Sequence, residues 1–163
     1  MALDMFLKLE TIEGESQDKT HAKSVDILAW SWGMSQSGTT HLGAGGGAGK
    51  VNIQDISVTK YVDASSNALL MACCKGTHIT KALLTVRKAG DTPLEYIKIY
   101  LEEVLVTSVS TGGSGGEDRL TENISLNFAK VKFEYQPQDA KGAKLGGVKT
   151  ATWNIPSNDA KLG

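Results

Sequence analysis

The chain lacks an excess of charge of either sign, because its 17 basic side chains stand against 18 acidic ones. Nucleic-acid binding takes its affinity from clustered Lys and Arg that neutralise phosphates, and binding to an acidic membrane surface needs similar clusters. Here the two signs are interspersed along the chain. The balance therefore argues against both classes, and it lowers the electrostatic barrier to self-association.

Long apolar runs are also lacking. The longest, 68–74, is far below the roughly 20 residues that a membrane-spanning helix needs. Residues 1–4 have neither the basic nor the apolar region of a secretory signal peptide. We therefore expect no membrane insertion and a protein that is cytoplasmic when made.

The sequence contains only two cysteines, Cys73 and Cys74, and they are adjacent. A disulfide framework and a C-x-x-C zinc site both use other spacings, so we expect reduced thiols and no metal site. Neither His21 nor His41 has a Ser, Cys or carboxylate partner that the sequence can assign. The sequence therefore predicts no catalytic residues.

Two motifs resemble catalytic or nucleotide sites in form only. Lys50 follows a glycine tract, but Ala44 and Val51 stand where a phosphate-binding loop needs Gly and Ser or Thr. The Gly-Gly-Ser-Gly-Gly run at 112–116 matches a nucleophile elbow, but a strand pattern follows it and no histidine lies beyond His78. We predict no enzyme and no cofactor.

Alternation of apolar and polar residues predicts β structure along most of the chain. Short strands are expected at 5–9, 79–87 and 150–155. In one further extended segment, the large residues are predicted to face inward and Ser31 to face away from the core. The large residues of that segment are Leu28, Trp30, Trp32 and Met34.

Three longer segments, 51–61, 94–109 and 122–135, each show a one-residue slip in the apolar phase. Such a slip turns the following side chains to the wrong face unless the strand bulges or bends into a second sheet. Long coiled strands shared between two sheets are typical of barrels. The pattern predicts a mainly β fold, a single small β-barrel of two coiled sheets.

Residues near 64–75 depart from this pattern and predict one short α-helix packed on the side of the barrel. Asp63, Ser65 and Ser66 are candidate N-caps, and Gly76 is the expected stop. The apolar residues of this stretch cover more than one side of the helix. Two interpretations stay open: a helix buried only against its own barrel, or one that also contacts a neighbouring subunit.

Glycine is the outlier of the composition, with 18 residues. We expect a long Gly-rich hairpin loop at 38–50 and a second glycine-rich turn at 112–116. The part after about 137 is rich in Lys and Gly, which predicts a surface-lying tail. We interpret 1–163 as one domain.

The chain contains several runs that together carry a resemblance. They are Asp-Met-Phe-Leu-Lys-Leu at 4–9, Gly-Glu-Ser-Gln-Asp-Lys-Thr-His at 14–21, Ile-Leu-Ala-Trp-Ser-Trp-Gly at 27–33, Val-Thr-Lys-Tyr-Val-Asp at 58–63 and the whole of 108–123. They closely resemble the haemolysin-coregulated protein family, Hcp. The resemblance covers nearly the whole chain up to about Pro137.

This resemblance implies a phage tail-tube-like barrel that closes into homohexameric rings, and rings that stack into the inner tube of the bacterial type VI secretion system. It implies a VgrG spike, a contractile sheath and small effector toxins in the ring lumen as partners. It also implies export without a signal peptide to the medium or a target cell.

We expect the surfaces that contact the next ring to lie in loops at the barrel ends. The candidate residues are Gly43, Ala44, Gly45, Gly46, Gly47, Ala48, Gly49 and Lys50, together with the turn Ala89, Gly90 and Asp91. Glycine allows close backbone approach, and docking would offset the cost of ordering the loop. The alternative is a loop that stays mobile in the free ring.

Ser31 is the candidate residue for the lumen and its cargo, since a small polar side chain accepts varied cargo without a fixed pocket. The alternative is that Ser31 faces outer solvent. A different function, a monomeric β-barrel that binds a small ligand or carbohydrate, is also considered. It is disfavoured because few aromatic residues remain outside the predicted core.

Overall fold

The computed structural model describes residues 2–38 and 49–163. Its elements are β1 (Leu3–Leu9), β2 (Val25–Asp26), β3 (Ala29–Ser31), β4 (Met34–Ser35), β5 (Asn52–Ile53), β6 (Ile56–Tyr61), α1 (Ser66–Lys75), β7 (Ile79–Lys88), β8 (Leu94–Thr111), β9 (Thr121–Tyr135) and β10 (Lys149–Asn154). The prediction of a mainly β fold with one short helix is confirmed.

The main sheet has the strand order β2-β1-β7-β8-β9-β6-β3, and β10 pairs with β9. The end strands β2 and β3 are neighbours in sequence, and they pair with β1 and β6. Between them, the Ile27 N–H donates to the Met5 carbonyl at 2.9 Å and the Leu28 N–H donates to the Thr59 carbonyl at 2.8 Å. The segment from β2 to β3 thus links β1 at one end of the sheet to β6 at the other, and the sheet curls into a barrel.

The sheet bends along one line that crosses three strands. In β8 the buried residues Leu101 and Val104 are three apart instead of two, and Glu103 between them has a φ of 54°. On β9 the partners Phe128 and Val131 show the same step, and β7 repeats it. Because the strands step together, their cross-strand register is kept and the sheet turns a corner.

The slips predicted in 94–109 and 122–135 coincide with this bend. A bulge adds to it, because the register of β8 with β9 shifts between Val106 and Ser108. The slip predicted in 51–61 has another cause. There β5 belongs to a separate two-stranded sheet with β4, and β6 starts afresh in the main sheet.

The helix α1 packs on the barrel through Leu69 and Ala72, which are both buried. Ser65 occupies the N-cap position without a side-chain cap, and the Asp63 carboxylate accepts the Ser65 N–H at 2.8 Å. The helix ends, as predicted, at Gly76, whose φ of 65° is a left-handed conformation that glycine adopts without strain.

A buried ion pair fastens the start of α1 to the sheet. Lys60 and Glu122 are cross-strand partners that face inward from β6 and β9, and both are almost fully buried. The Lys60 ammonium donates to Glu122 and, at 3.0 Å, to Asp63. The Ser66 hydroxyl donates to the Glu122 carboxylate at 2.6 Å, so the helix and the two strands share one polar network.

The prediction that Leu28 and Met34 face inward is wrong, since they are 40% and 52% exposed. The extended segment is not one strand. Leu28 lies where the chain crosses from β1 to β6, and Met34 lies in the separate sheet, while Trp30 and Trp32 do pack against the core. The described residues include no helix with the length and apolar character that a bilayer crossing requires.

Candidate functional site

One outer face of the barrel is built from short, uncharged side chains in two cross-strand rows. The first row is Ser31, Ser57, Ser125 and Ser108, and the second is Ala29, Thr59, Asn123 and Ser110. These eight residues are called the hydroxyl wall. Their chain neighbours Trp30, Val58 and Ile124 belong to the core, so the alternation of the strands turns the wall outward.

Ser31 is exposed at one margin of the hydroxyl wall. Within the wall the Thr59 hydroxyl donates to Asn123 Oδ1 at 2.7 Å, and the hydroxyls of Ser57 and Ser125 lie 3.5 Å apart. Sequence reasoning missed the members other than Ser31. Alternation gives the phase of each strand, but it does not reveal which strands are neighbours.

Both margins of the hydroxyl wall are strand edges. Among the described strands, none pairs with β3 on the side away from β6. On the opposite margin, β7 pairs with β8 only as far as Val104, so within the described residues the following part of β8 has a strand partner on one side alone. An edge of this kind presents N–H and C=O groups that can pair with another chain.

On the other side of the bend, six of the outward residues carry charge. They are Lys81, Lys98, Glu102, Lys130, Lys132 and Glu134, and they are called the charged wall. Its ion pairs lie at the surface: Lys132 is 3.4 Å from Glu134, and Lys130 is 3.9 Å from Glu102. The two walls therefore differ in chemistry although β8 and β9 contribute to both.

The loop before β2 is held against β1 and β7 by a charged cluster. Arg87 donates to Asp18 at 2.5 Å and to Asp4 at 3.1 Å. His21, for which the sequence offered no partner, has its Nε2 2.5 Å from Glu95 and its ring stacked on Phe6. The cluster clamps a loop, which gives His21 a structural role.

Two carboxylates of this cluster have shifted pKa values. The hydrogen bond from Arg87 holds the pKa of Asp18 well below its usual range. For Glu95, burial acts to raise the pKa, but the hydrogen bond and charge of His21, together with Lys98, lower it overall. Both carboxylates are therefore stabilised in their ionised form.

The predicted stacking residues fall into three groups. Gly43, Ala44, Gly45, Gly46, Gly47 and Ala48 lie outside the described residues. Gly49 and Lys50 follow them, and the Gly49 N–H reaches the Ser37 carbonyl at 3.4 Å. The turn Ala89, Gly90 and Asp91 joins β7 to β8, and together with 141–143 of the later chain it lines a hollow of about 400 Å³.

An apolar groove of about 480 Å³ lies between the β4–β5 pair and the end of β9. Trp32, Met34, Phe133 and Trp153 contribute to its walls. The indole N–H of Trp32 donates to the Gln54 carbonyl at 2.9 Å, whereas that of Trp153 is buried and has no hydrogen-bond partner within the described residues. The groove suits apolar groups and offers few partners for a sugar.

Cys73 and Cys74 are free thiols, the first half-buried and the second exposed. Across residues 2–38 and 49–163, no three His, Cys, Asp or Glu side chains are grouped so as to hold a metal ion. The hydroxyl wall with its two edges, the loops next to the charged wall and the apolar groove are therefore the surfaces that the described structure offers for function.

Comparison with known proteins identifies consistent relatives. The family model described as "Type VI secretion system effector, Hcp" matches residues 6–135. Protein Hcp1 of Pseudomonas aeruginosa is 63% identical over 159 residues, which cover 97% of this chain and 98% of that protein.

Solved structures agree with this match. Hcp1 from Salmonella typhimurium superposes with a TM-score of 0.80 at 37% identity, over 97% of this chain and 98% of that one. A structure described as a type six secretion system protein reaches a TM-score of 0.91 at 30% identity, over 98% of this chain and all of the other.

Proposed function

Because the chain belongs to the Hcp family of the type VI secretion system, we propose that it forms hexameric rings that stack head to tail into the inner tube and hold small effector proteins in the lumen. By the same family relationship the tube lies inside a contractile sheath and meets a VgrG spike. The role is structural and not enzymatic, and the protein leaves the cytoplasm by type VI secretion.

The observation that carries the ring proposal is the hydroxyl wall with an available strand edge at each margin. If the β3 edge of one copy meets the β8 edge of the next, the two cross-strand rows continue from copy to copy. A closed ring of such walls encloses a lumen lined by small polar groups, with Ser31 facing the cargo. Closure of the ring also covers the β3 and β8 edges, which could otherwise pair with other chains and cause aggregation.

Size-exclusion chromatography with light scattering, followed by negative-stain microscopy, tests the ring. The expected particle has six times the 17.3 kDa mass of the chain and a central hole. A monomer at every concentration would contradict the proposal.

Stacking is assigned to the loops. We propose that 43–50 contact the adjacent ring and that Ala89, Gly90 and Asp91 extend this surface, since a head-to-tail contact that does not close is what generates a tube. Deletion of 43–49 should leave rings intact and abolish stacks in micrographs. Unchanged tubes would remove the loop from the stacking surface.

The cargo role of Ser31 is tested with Ser31→Gln. The longer side chain should reduce co-purification of cargo from the host, while the ring forms as before. A ring that retains its cargo would place Ser31 outside the lumen.

A monomeric ligand-binding barrel remains the alternative function, and the groove between Trp32 and Trp153 is the observation that favours it. An apolar ligand would fill this groove without any ring. Chromatography separates the two functions, because the alternative needs no oligomer.

A further inference from the structure

The hydroxyl wall extends the region around Ser31 across four strands. Ser31 pairs with Ser57, Ser57 with Ser125, and Ser125 with Ser108, so one row of serines runs from β3 to β8. Neighbouring strands are about 4.8 Å apart, which makes this row about 14 Å wide. Such a width matches a patch on a folded protein better than a single contact.

The chemistry of the wall is uniform. All eight side chains are short, so little side-chain entropy is lost when a partner covers them. Seven of them present a hydroxyl or amide group, Ala29 presents a methyl group, and none is ionisable. The nearest charge towards the bend, Asp55, is engaged at the wall's margin, where it accepts hydrogen bonds from Thr107 at 2.6 Å and Asn127 at 2.9 Å.

This composition restricts the partner. A polyanion needs cationic side chains, which the eight positions lack. The wall also has no large apolar or aromatic side chain that could serve as a hydrophobic anchor. The surface that fits the wall is therefore an uncharged polar face. A charged group placed against the wall would lose its hydrating water without gaining a group of opposite charge.

This inference rests on the proposed function. We propose that the hydroxyl wall binds cargo as one surface, in which Ser57 and Ser125 contact the cargo together with Ser31. The cargo is a folded protein with an uncharged polar face. Selection then works by exclusion. Proteins that present charge to the wall are rejected, and proteins with a neutral hydrogen-bonding face are held.

The test first obtains a probe. Rings of the wild type and of Ser31→Gln are purified from the host, and a protein of the wild-type rings that is lost from the variant is identified by mass spectrometry. That protein, produced separately, is the probe for titrations with purified rings. If no protein is lost, the cargo role of Ser31 fails, and this inference fails with it.

The variants place charge of each sign at the centre of the wall. Ser125→Lys and Ser57→Asp should each weaken probe binding about tenfold or more, as expected when a charge is left desolvated and unpaired. Ser125→Thr keeps the hydroxyl and adds only one methyl group, far less bulk than Ser31→Gln introduces, and should change binding less than about threefold. Glu10→Gln alters the net charge by the same amount as Ser125→Lys but lies outside the wall, and it should have no effect.

The pattern of results decides between explanations. If Ser31→Gln loses the probe while the Ser57 and Ser125 variants bind it normally, the wall does not act as a unit and the inference is overturned, although the proposed function stands. If Lys strengthens binding and Asp weakens it, or the reverse, the cargo face is charged and the inference is also overturned. Size-exclusion chromatography verifies that each variant assembles into rings. If Ser125→Lys does not assemble, the binding of the probe to Ser57→Asp rings decides the test.

Discussion

The hydroxyl wall and the charged wall handle charge in opposite ways. On the hydroxyl wall the outward side chains are neutral, and the ion pair of Lys60 with Glu122 is buried on the inward side of the same strands. On the charged wall the Lys and Glu side chains face out, and the inward side holds apolar residues such as Ile99 and Val131. A surface that keeps its charges underneath is suited to close contact, whereas one that displays them stays hydrated.

The boundary between the two walls is the bend at Glu103. The same strands β8 and β9 supply both walls, and the inward phase of each changes there while pairing continues. A local backbone feature thus decides which residues of one strand belong to which surface. The comparison can be tested by changing the charges and the bend separately.

The largest effect is expected from Lys60→Met. The substitution leaves Glu122 buried without its main counter-charge, and breaking a buried pair in this way typically costs about 3–5 kcal/mol. The matched variant Lys130→Met removes a half-exposed partner of Glu102 and should cost about 1 kcal/mol or less. Urea unfolding at one fixed protein concentration measures both, and equal losses would show that the two walls do not differ in this respect.

The next effect concerns the bend. Glu103→Val puts a β-branched residue at a φ of 54°, where such side chains are more strained than glutamate, and should reduce the free energy of unfolding by about 1 kcal/mol. Glu103→Gly should be tolerated, since glycine adopts this conformation freely. Glu102→Val, one residue earlier, is the control and should cost less than Glu103→Val. The same ranking of thermal midpoints would support the bend, and a greater loss from Glu102→Val would contradict it.

A smaller effect, dependent on pH, is expected from Asp18 in the clamped loop. Its folded-state pKa lies below the unfolded value, so its contribution to stability is present above the unfolded pKa and is lost as the pH falls towards the folded one. Asp18→Asn should therefore be less stable than the wild type at pH 7 and should lose less on acidification. Thermal unfolding of both proteins between pH 7 and pH 3 measures this. If the thermal midpoints of the wild type and the variant fall in parallel with pH, the ion pair of Asp18 with Arg87 does not contribute to the pH dependence of stability.

The smallest effect is expected from Glu134→Gln on the charged wall. The pair with Lys132 lies at the surface and is partly exposed, and surface pairs contribute about 0–1 kcal/mol, less at high salt. Unfolding at two salt concentrations should show a small loss that shrinks as salt is added. A loss as large as that of Lys60→Met would mean that the surface pairs stabilise the barrel as much as the buried one.

Much of the fold was accessible from periodicity. The slips at Glu102–Glu103 and at 129–130 were visible because buried residues three apart interrupt a period of two. The helix was predictable because residues near 64–75 depart from the alternating pattern and Gly76 provides a C-terminal stop. Leu28 and Met34 were misassigned, since alternation cannot show that an extended segment is divided between two sheets.

The candidate site was accessible only in part. Ser31 was found because it lies between two tryptophans, but Ser57, Ser108 and Ser125 are single serines scattered over three segments. The carboxylate partner of His21 was missed for the same reason, because Glu95 lies 74 residues further along the chain. Pairs so distant in sequence leave no local pattern.

The sequence by itself determined the balance of charge, the β character, the phase change in the long strands and the resemblance to the Hcp family, because each depends on residue type and short spacing. Only the tertiary structure decided which outward faces join into one surface. Cross-strand register brings distant residues into rows, and register is fixed only when the strands pair so that one face of each is buried. The hydroxyl wall is therefore a property of the folded sheet and of no single segment.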